Sequence, residues 1–374
     1  MIRVGFIGFG RMGITHFSIL NCHPDVKIVA VCDQSKMLLN VLKKRVAVSV
    51  YADMEQMFSE QNLDLVIIST PTGSHSEIAR LAVENNCHIF LEKPFSLVPD
   101  EGQAVLALLE GRQLVNQVGY VNRFNEVFVE VKRLLTDGVI GDVLSFSSQM
   151  YGATVLKDAK SGWRGTTKMG GGCMYEFACH AIDLVVYLVG VPDRVVGSVM
   201  QSIFSSGVED LVTSTFIYAN GCSGTIASNW SDETYRKPAN IFTVIGTKGK
   251  IVADKHEYKI YLKQPDSANH FHKGWNTRYI TEFAEPVRFY VRGNEFTVQL
   301  DNVVDCVKNH RLDNVCDFAE ALKTDRIIEE IRRDAARSID TPEEGAKGSP
   351  LLARQVGKTS IWEKFRKSGG RKNA

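Results

Sequence analysis

No stretch of this sequence holds the roughly 20 consecutive apolar residues that a bilayer-spanning helix needs. No sign of charge dominates. The 44 Lys+Arg balance 43 Asp+Glu to a net +1, so no overall field draws the chain to nucleic acid. No CxxC pair occurs among the eight cysteines, which lie at 22, 32, 87, 173, 179, 222, 306 and 316. Most sit inside apolar runs, which is the pattern of reduced, buried thiols in a cytoplasmic protein. The N-terminus lacks the form of a signal peptide, because Ile2–Ile7 flows straight into a glycine turn and reads as a first strand. There is no internal repeat.

What is present is a chain of 374 residues, long enough for two domains and a substantial core. Residues 1–120 alternate strand and helix signals. Arg3–Ile7, Val26–Cys32, Leu65–Ser69, His88–Leu91 and Leu114–Val118 are short apolar, β-rich runs, with a helical pattern from Gly13 to Asn21 after the first. Near-continuous apolar strands separated by helical patterns predict a doubly wound parallel sheet buried on both faces. The pattern changes after residue 122. Val127–Thr136 reads as a helix, Val143–Met150 as a half-buried strand and Cys173–Val189 as a long helix. From Arg194 to Leu262 long strands are joined by turns such as Asn220-Gly221 and Lys248-Gly249, which predicts a large open, mainly antiparallel sheet. Phe296–Asn309 and Val315–Arg337 read as closing helices. From 341 to 374 eight Lys/Arg stand against three Glu, with frequent Gly and Ser, the composition of a mobile basic tail. Ile361, Trp362 and Phe365 among its lysines and arginines also allow contact with an anionic surface.

The first strand ends in Gly8-Phe9-Gly10-Arg11-Met12-Gly13. The first glycine permits the tight turn, the second lets a pyrophosphate approach the backbone, and the third lets the helix pack on the strand. The helix N-terminus offers free N–H groups to the phosphates. Asp33 closes the next strand, twenty residues beyond Gly13, where a carboxylate can accept from the adenosine ribose hydroxyls and repel a 2′-phosphate. NAD is therefore expected over NADP. Thr70-Pro71-Thr72-Gly73-Ser74-His75 leaves another strand's carboxyl end, facing the same crevice. Thr70 and Pro71 are expected against the cofactor; His75 either contacts the ribose or caps the next helix.

Hydride transfer from an alcohol requires a group that handles the hydroxyl proton. Lys93, within Glu92-Lys93-Pro94, follows His88–Leu91 and projects from a strand end. Desolvation and neighbouring positive charge are expected to lower its pKa. The second candidate is Gly170–Asp183, where Glu176 and His180 stand four apart, sharing one helical face that Asp183 continues. His180 is the expected proton acceptor, titrating near neutral pH, with Glu176 or Asp183 orienting it. A metal site from Cys173, Glu176, Cys179, His180 and Asp183 is the weaker reading, since Cys179 and His180 diverge by about 100° on a helix; none is expected.

The ordered set of GFGRMG (8–13), Asp33, TPTGSH (70–75), EKP (92–94), VGYVNRFN (118–125), Trp163-Arg164, the 170–183 segment and the 244–249 turn resembles the Gfo/Idh/MocA oxidoreductases. The resemblance implies a Rossmann domain over 1–122 and a substrate-binding and oligomerisation domain over 123–340. It puts the catalytic lysine at Lys93 and the acid/base histidine at His180. The family's Asp-x-x-x-His is Glu176…His180 here, with a longer carboxylate. It further implies Trp163 and Arg164 at the nicotinamide end. Tyr120, Arg123, Asn125, Tyr151 and Glu176 are implied near a sugar-like substrate, alongside Lys93 and His180. A homodimer or homotetramer is expected. A nucleotide sugar, an inositol and a free aldose all remain open, with Arg-Phe-Asn (123–125) tilting toward a phosphorylated sugar. Two other classes also stay open: an NAD-binding sensor without turnover, supported only by Glu176, and a reductase of a non-sugar molecule, against which His180 argues.

Overall fold

In the computed structural model, residues 1–157 and 162–340 are described; the basic tail (341–374) lies outside the described residues. Six strands form a parallel sheet: β1 (Ile2–Ile7), β2 (Val26–Cys32), β3 (Ser49–Tyr51), β4 (Leu65–Ile68), β5 (His88–Leu91) and β6 (Asn116–Val118). Their order is β3-β2-β1-β4-β5-β6, so strands are added outward in opposite directions from β1 and β4. Loops at the carboxyl ends of those two strands part there and leave a crevice. The connecting helices are α1 (Arg11–Leu20), α2 (Lys36–Arg45), α3 (Met54–Glu60), α4 (His75–Glu84) and α5 (Pro99–Leu109). Their starts are written locally. The Ser35 hydroxyl accepts from Leu38 N–H, the Asp53 carboxylate accepts from Gln56 N–H, and Pro99 opens α5 ahead of Asp100 and Glu101. All four residues of β4 are buried, as its unbroken apolar sequence requires.

The second half is built on an eight-stranded sheet from β7 (Val143–Tyr151), β8 (Arg194–Gln201), β9 (Leu211–Ile217), β10 (Ser223–Asn229), β11 (Ala239–Gly246), β12 (Gly249–Ala253), β13 (Glu257–Leu262) and β14 (Gly274–Tyr279). Its pairs are antiparallel except β10 on β7. One face is covered by α6 (Glu126–Thr136) and α7 (Cys179–Leu188). The other alternates half-buried and exposed residues along each strand. Two late helices return to the first half. α8 (Asn294–Lys308) packs Leu300, Val303, Val304 and Val307 into the cluster that holds Val4, Phe6 and Ile19 of β1 and α1. α9 (Phe318–Asp340) starts three residues later than the periodicity predicts, because Asn314–Asp317 is tied down by bonds from Asn314 to Asn116 and Cys316. Both sheets lie in one compact unit, Met1–Ser338. Among the described residues no helix is long and apolar enough to cross a membrane.

Candidate active site

A crevice of about 1800 Å³ runs from the glycine turn across the end of β5 to α7. Gly8 sits at φ +82°, and a Cβ there would meet the Ser69 carbonyl and Thr70 nitrogen at 2.8 Å, so only glycine fits. A Cβ on Gly13 would run into the Gly8 carbonyl, which lets α1 close onto the turn. A Cβ on Gly10 would meet nothing within 4 Å; it looks into open crevice, the space a phosphate needs. Phe9 contributes backbone only. Its ring is buried against Phe6 and Phe17, while its N–H donates to Asp33 Oδ2 at 2.7 Å. Ser35 N–H donates to Asp33 Oδ1 at 2.8 Å, so the carboxylate is pinned at the crevice edge. Arg11, Met12, Thr70 and Pro71 line the same space. These residues fit a dinucleotide. His75 departs from expectation: its ring is fully buried, with Nδ1 bonded to Pro94 O at 2.8 Å and Nε2 to Thr70 O at 3.0 Å. It ties two crevice loops together and faces no ribose.

Lys93 follows β5 with a cis bond to Pro94. Its Nζ donates to Tyr175 O at 3.2 Å and Glu176 O at 3.3 Å. Glu92 is not its ion-pair partner; Glu92 Oε1 bonds the buried His16 Nε2 at 2.7 Å. The expected lowering of the Lys93 pKa is overturned. Burial pulls it down, but Cys179, Glu176 and Glu92 together outweigh burial, so the ammonium is held above its usual value.

The expected long helix over 173–189 is two elements. Met174–Ala178 is a π-helical turn, and α7 begins at Cys179. The wider turn changes the phase between Glu176 and His180 that a regular helix would give. Both are half-buried and line the crevice. Nδ1 of His180 is enclosed with no hydrogen-bond partner, leaving Nε2 toward the crevice. Burial, then the cations Lys93 and Lys255, push the imidazole well below its usual range, so it is neutral at neutral pH and does not titrate there as the sequence suggests. Arg164 stacks over the Trp163 ring at 4.7 Å and sets Nε 3.6 Å from Glu176 Oε2. Asp183 does not orient His180. It is buried against Arg123, whose Nη2 reaches Asp183 Oδ1 at 2.8 Å. Cys179 spends its thiol proton on Tyr175 O. Among the described residues no cluster of His, Cys, Asp and Glu is arranged to hold a metal.

The residues expected near substrate divide. Arg123 is enclosed, donating to Asp183 and to Val315 O, and does not line the crevice. Tyr120 is fully buried behind the site, its ring edge-on to His180 at 6.2 Å. Tyr151 packs on Tyr235 at 5.6 Å. Asn125 reaches the crevice wall but is engaged in capping α6 and donating to Lys255 O at 3.2 Å. In their place the crevice presents Lys255 and Asn240, which belong to no motif, and Asn122, which lies in the 118–125 motif but carries no expected role. Lys255 sits on the β12–β13 turn with Nζ 3.6 Å from Glu295 Oε1, and burial lowers its pKa. Asn122 lies beside Arg123, and the alternation of β11 turns Asn240 inward.

A glycine turn, a pinned acidic strand end, and a lysine and neutral histidine on one crevice define a dinucleotide-dependent oxidoreductase. Residues 2–120 match the oxidoreductase family with an NAD-binding Rossmann fold, and residues 128–252 match the GFO/IDH/MocA C-terminal domain. The chain belongs to the GFO/IDH/MocA family. It is 26% identical over 327 residues to the scyllo-inositol 2-dehydrogenase (NAD(+)) of Bacillus subtilis, covering 85% of this chain and 89% of that protein. It is 29% identical over 194 residues to the uncharacterized oxidoreductase YdgJ of Escherichia coli, which is 51% of this chain and 54% of that protein, so the match spans about half the length of that relative. The solved levoglucosan dehydrogenase in complex with NADH and levoglucosan shares the fold at a TM-score of 0.80 and 22% identity, over 90% of this chain and 97% of that one.

Proposed function

We propose that this protein is an NAD-dependent dehydrogenase acting on a CH–OH group of a sugar, nucleotide sugar or cyclitol. The observation that carries the reading is that the open glycine turn, the Lys93 ammonium and the neutral His180 imidazole all line one crevice.

Bound NAD supplies the hydride acceptor. Gly8–Gly13 and Thr70-Pro71 hold its pyrophosphate side, and Asp33 takes the adenosine ribose hydroxyls and disfavours a 2′-phosphate. Trp163 and Arg164 border the nicotinamide end. Lys93 Nζ donates to the reacting oxygen as a permanent cation and stabilises the negative charge that grows as the O–H proton leaves. His180 Nε2 accepts that proton, and its low basicity keeps it free to do so at neutral pH. Glu176, steadied by Arg164, positions the substrate side of the pair. In the reductive direction His180 returns the proton. The roles thus separate: the lysine is the electrophile and the histidine the base. A relative named for scyllo-inositol supports a polyhydroxylated substrate.

The open face of the eight-stranded sheet supports a homodimer or homotetramer. Trp275 and Tyr279 are more than half exposed there, and Tyr261 lies edge-on to Trp275. Sedimentation of wild type against Trp275→Lys tests it, with a monomeric wild type as the contrary result.

The reading of activity is tested by presenting the protein and NAD with inositols, aldoses and nucleotide sugars and following NADH fluorescence. A substrate-dependent rise supports it. No rise with any of them, from protein that binds NAD, favours a binding role without turnover.

A further inference from the structure

The segment between β14 and α8 lies over the glycine turn. Phe289, Val291 and Phe296 pack against the core cluster of the parallel sheet, while Tyr290, Arg292 and Gly293 line the crevice. The segment is fastened at several points. Arg288 pairs with Asp301, Thr297 Oγ1 donates to Phe289 O at 2.5 Å, and Asn294 Nδ2 donates to Glu285 O at 3.3 Å. Arg292 lies on the Phe296 ring at 5.5 Å and brings Nη1 to within 3.7 Å of Met12 Sδ, inside the glycine fingerprint.

This arrangement gathers positive charge. Arg11 bears on Arg292, and Arg292 bears on Lys255 further along the same wall. Arg292 is an exposed side chain on the crevice wall, and partial burial followed by Arg11 lowers its affinity for its proton while Glu92 opposes them. The neighbouring carboxylates are spent: Glu92 on His16 and Glu295 on Lys255. A thioether and a ring face satisfy little of what a guanidinium can donate. Two arginines on one crevice, Arg292 reaching Met12 beside the open backbone of Gly10 and Arg11 within electrostatic reach, form a site for an anion with two or more charges.

We propose that Arg292 is a cofactor-binding residue supplied from the second half of the chain, closing over the pyrophosphate of the dinucleotide from the side opposite the glycine turn. The inference rests on the NAD reading and adds to it a residue outside the Rossmann domain. The cofactor is then held between two segments 280 positions apart in sequence.

The test is calorimetric binding of NAD, ADP-ribose and adenosine to wild type, Arg292→Met and Arg292→Lys at two salt concentrations. Loss of one charge-assisted contact weakens binding on the order of tenfold to a hundredfold. Arg292→Met is expected to lose that much for NAD and ADP-ribose and nothing for adenosine, which has no phosphate. Arg292→Lys is expected to recover part of the loss, and the wild-type affinity is expected to fall more steeply with salt than that of Arg292→Met. Inorganic phosphate binding that is lost in Arg292→Met while NAD affinity is unchanged would assign the site to a free phosphate instead and overturn the proposal. Undiminished NAD affinity in Arg292→Met, or an equal loss for adenosine, also overturns it. A wild type that binds no NAD at all refutes the functional reading itself, a separate outcome.

Discussion

Lys93 Nζ and Cys179 Sγ donate to the same atom, the carbonyl oxygen of Tyr175, at 3.2 and 2.9 Å. The wider π turn presents that carbonyl, and that of Glu176, to the crevice. Burial pushes the Cys179 thiol up to about 12, so it remains a thiol and a donor at neutral pH. The lysine is thereby held by carbonyls that cannot take its proton, consistent with a donor role.

Thiol chemistry follows from the same burial. All eight cysteines are free and only Cys22 is exposed. Under native conditions an aromatic disulfide reagent is expected to titrate one thiol rapidly, and Cys22→Ser to remove that phase. Rapid reaction at Cys179 would contradict its enclosure.

Arg123 and Asp183 offer a test of structural against substrate-binding roles. Removing one member of a buried ion pair leaves an uncompensated charge, at a cost of about 3–5 kcal/mol. Arg123→Ala is expected to lower the denaturant midpoint substantially, while the folded fraction keeps its substrate KM. A raised KM with unchanged stability would return Arg123 to the pocket.

With His180 as the proposed base, the pH dependence of oxidation has a definite sign. Its pKa is lowered below 6.5, so the neutral imidazole persists through neutrality and is lost only as pH falls well below that value. The acid limb of kcat/KM is expected in that lower range. Lys255→Met removes one of the cations responsible and is expected to move the limb upward. A limb near pH 7 in wild type, or one unmoved in Lys255→Met, would contradict the electrostatic argument.

The proposed preference for NAD rests on Asp33. With both oxygens already bonded to backbone N–H groups, the carboxylate cannot swing away from a 2′-phosphate. Like charges so juxtaposed cost several kcal/mol, on the order of 10²-fold or more in affinity. Titrations are expected to show NAD preferred by that margin, with the gap narrowing in Asp33→Ser. Equal affinities in wild type would contradict this role for Asp33.

Much of this was legible in the sequence because the signals were local. The glycine fingerprint, the strand ending at Asp33 and Lys93 placed after β5 each lie within a few residues of the element that positions them. What was not legible came from distance. Arg123 sits in a segment that looks like pocket, and its partner Asp183 lies 60 positions away. His75 meets the carbonyl of Pro94, whose position only the fold supplies. Lys255 and Asn240 belong to no motif; sheet register alone turns them inward. The expected α-helix through Glu176 and His180 failed at the π turn, which composition does not announce. The direction of the Lys93 pKa also depended on Cys179 and Glu176, which arrive from the second half of the chain.

The most direct measurement pairs NAD binding with NADH formation in wild type and Lys93→Met. Losing a preorganised donor that stabilises the developing oxyanion costs on the order of 10²–10³ in rate. Wild type is expected to bind NAD and form NADH with at least one sugar or cyclitol. Lys93→Met is expected to bind NAD within a few-fold of wild type and to form NADH more slowly by that factor. Undiminished turnover in Lys93→Met would show that Lys93 is a wall of the crevice and not part of its chemistry.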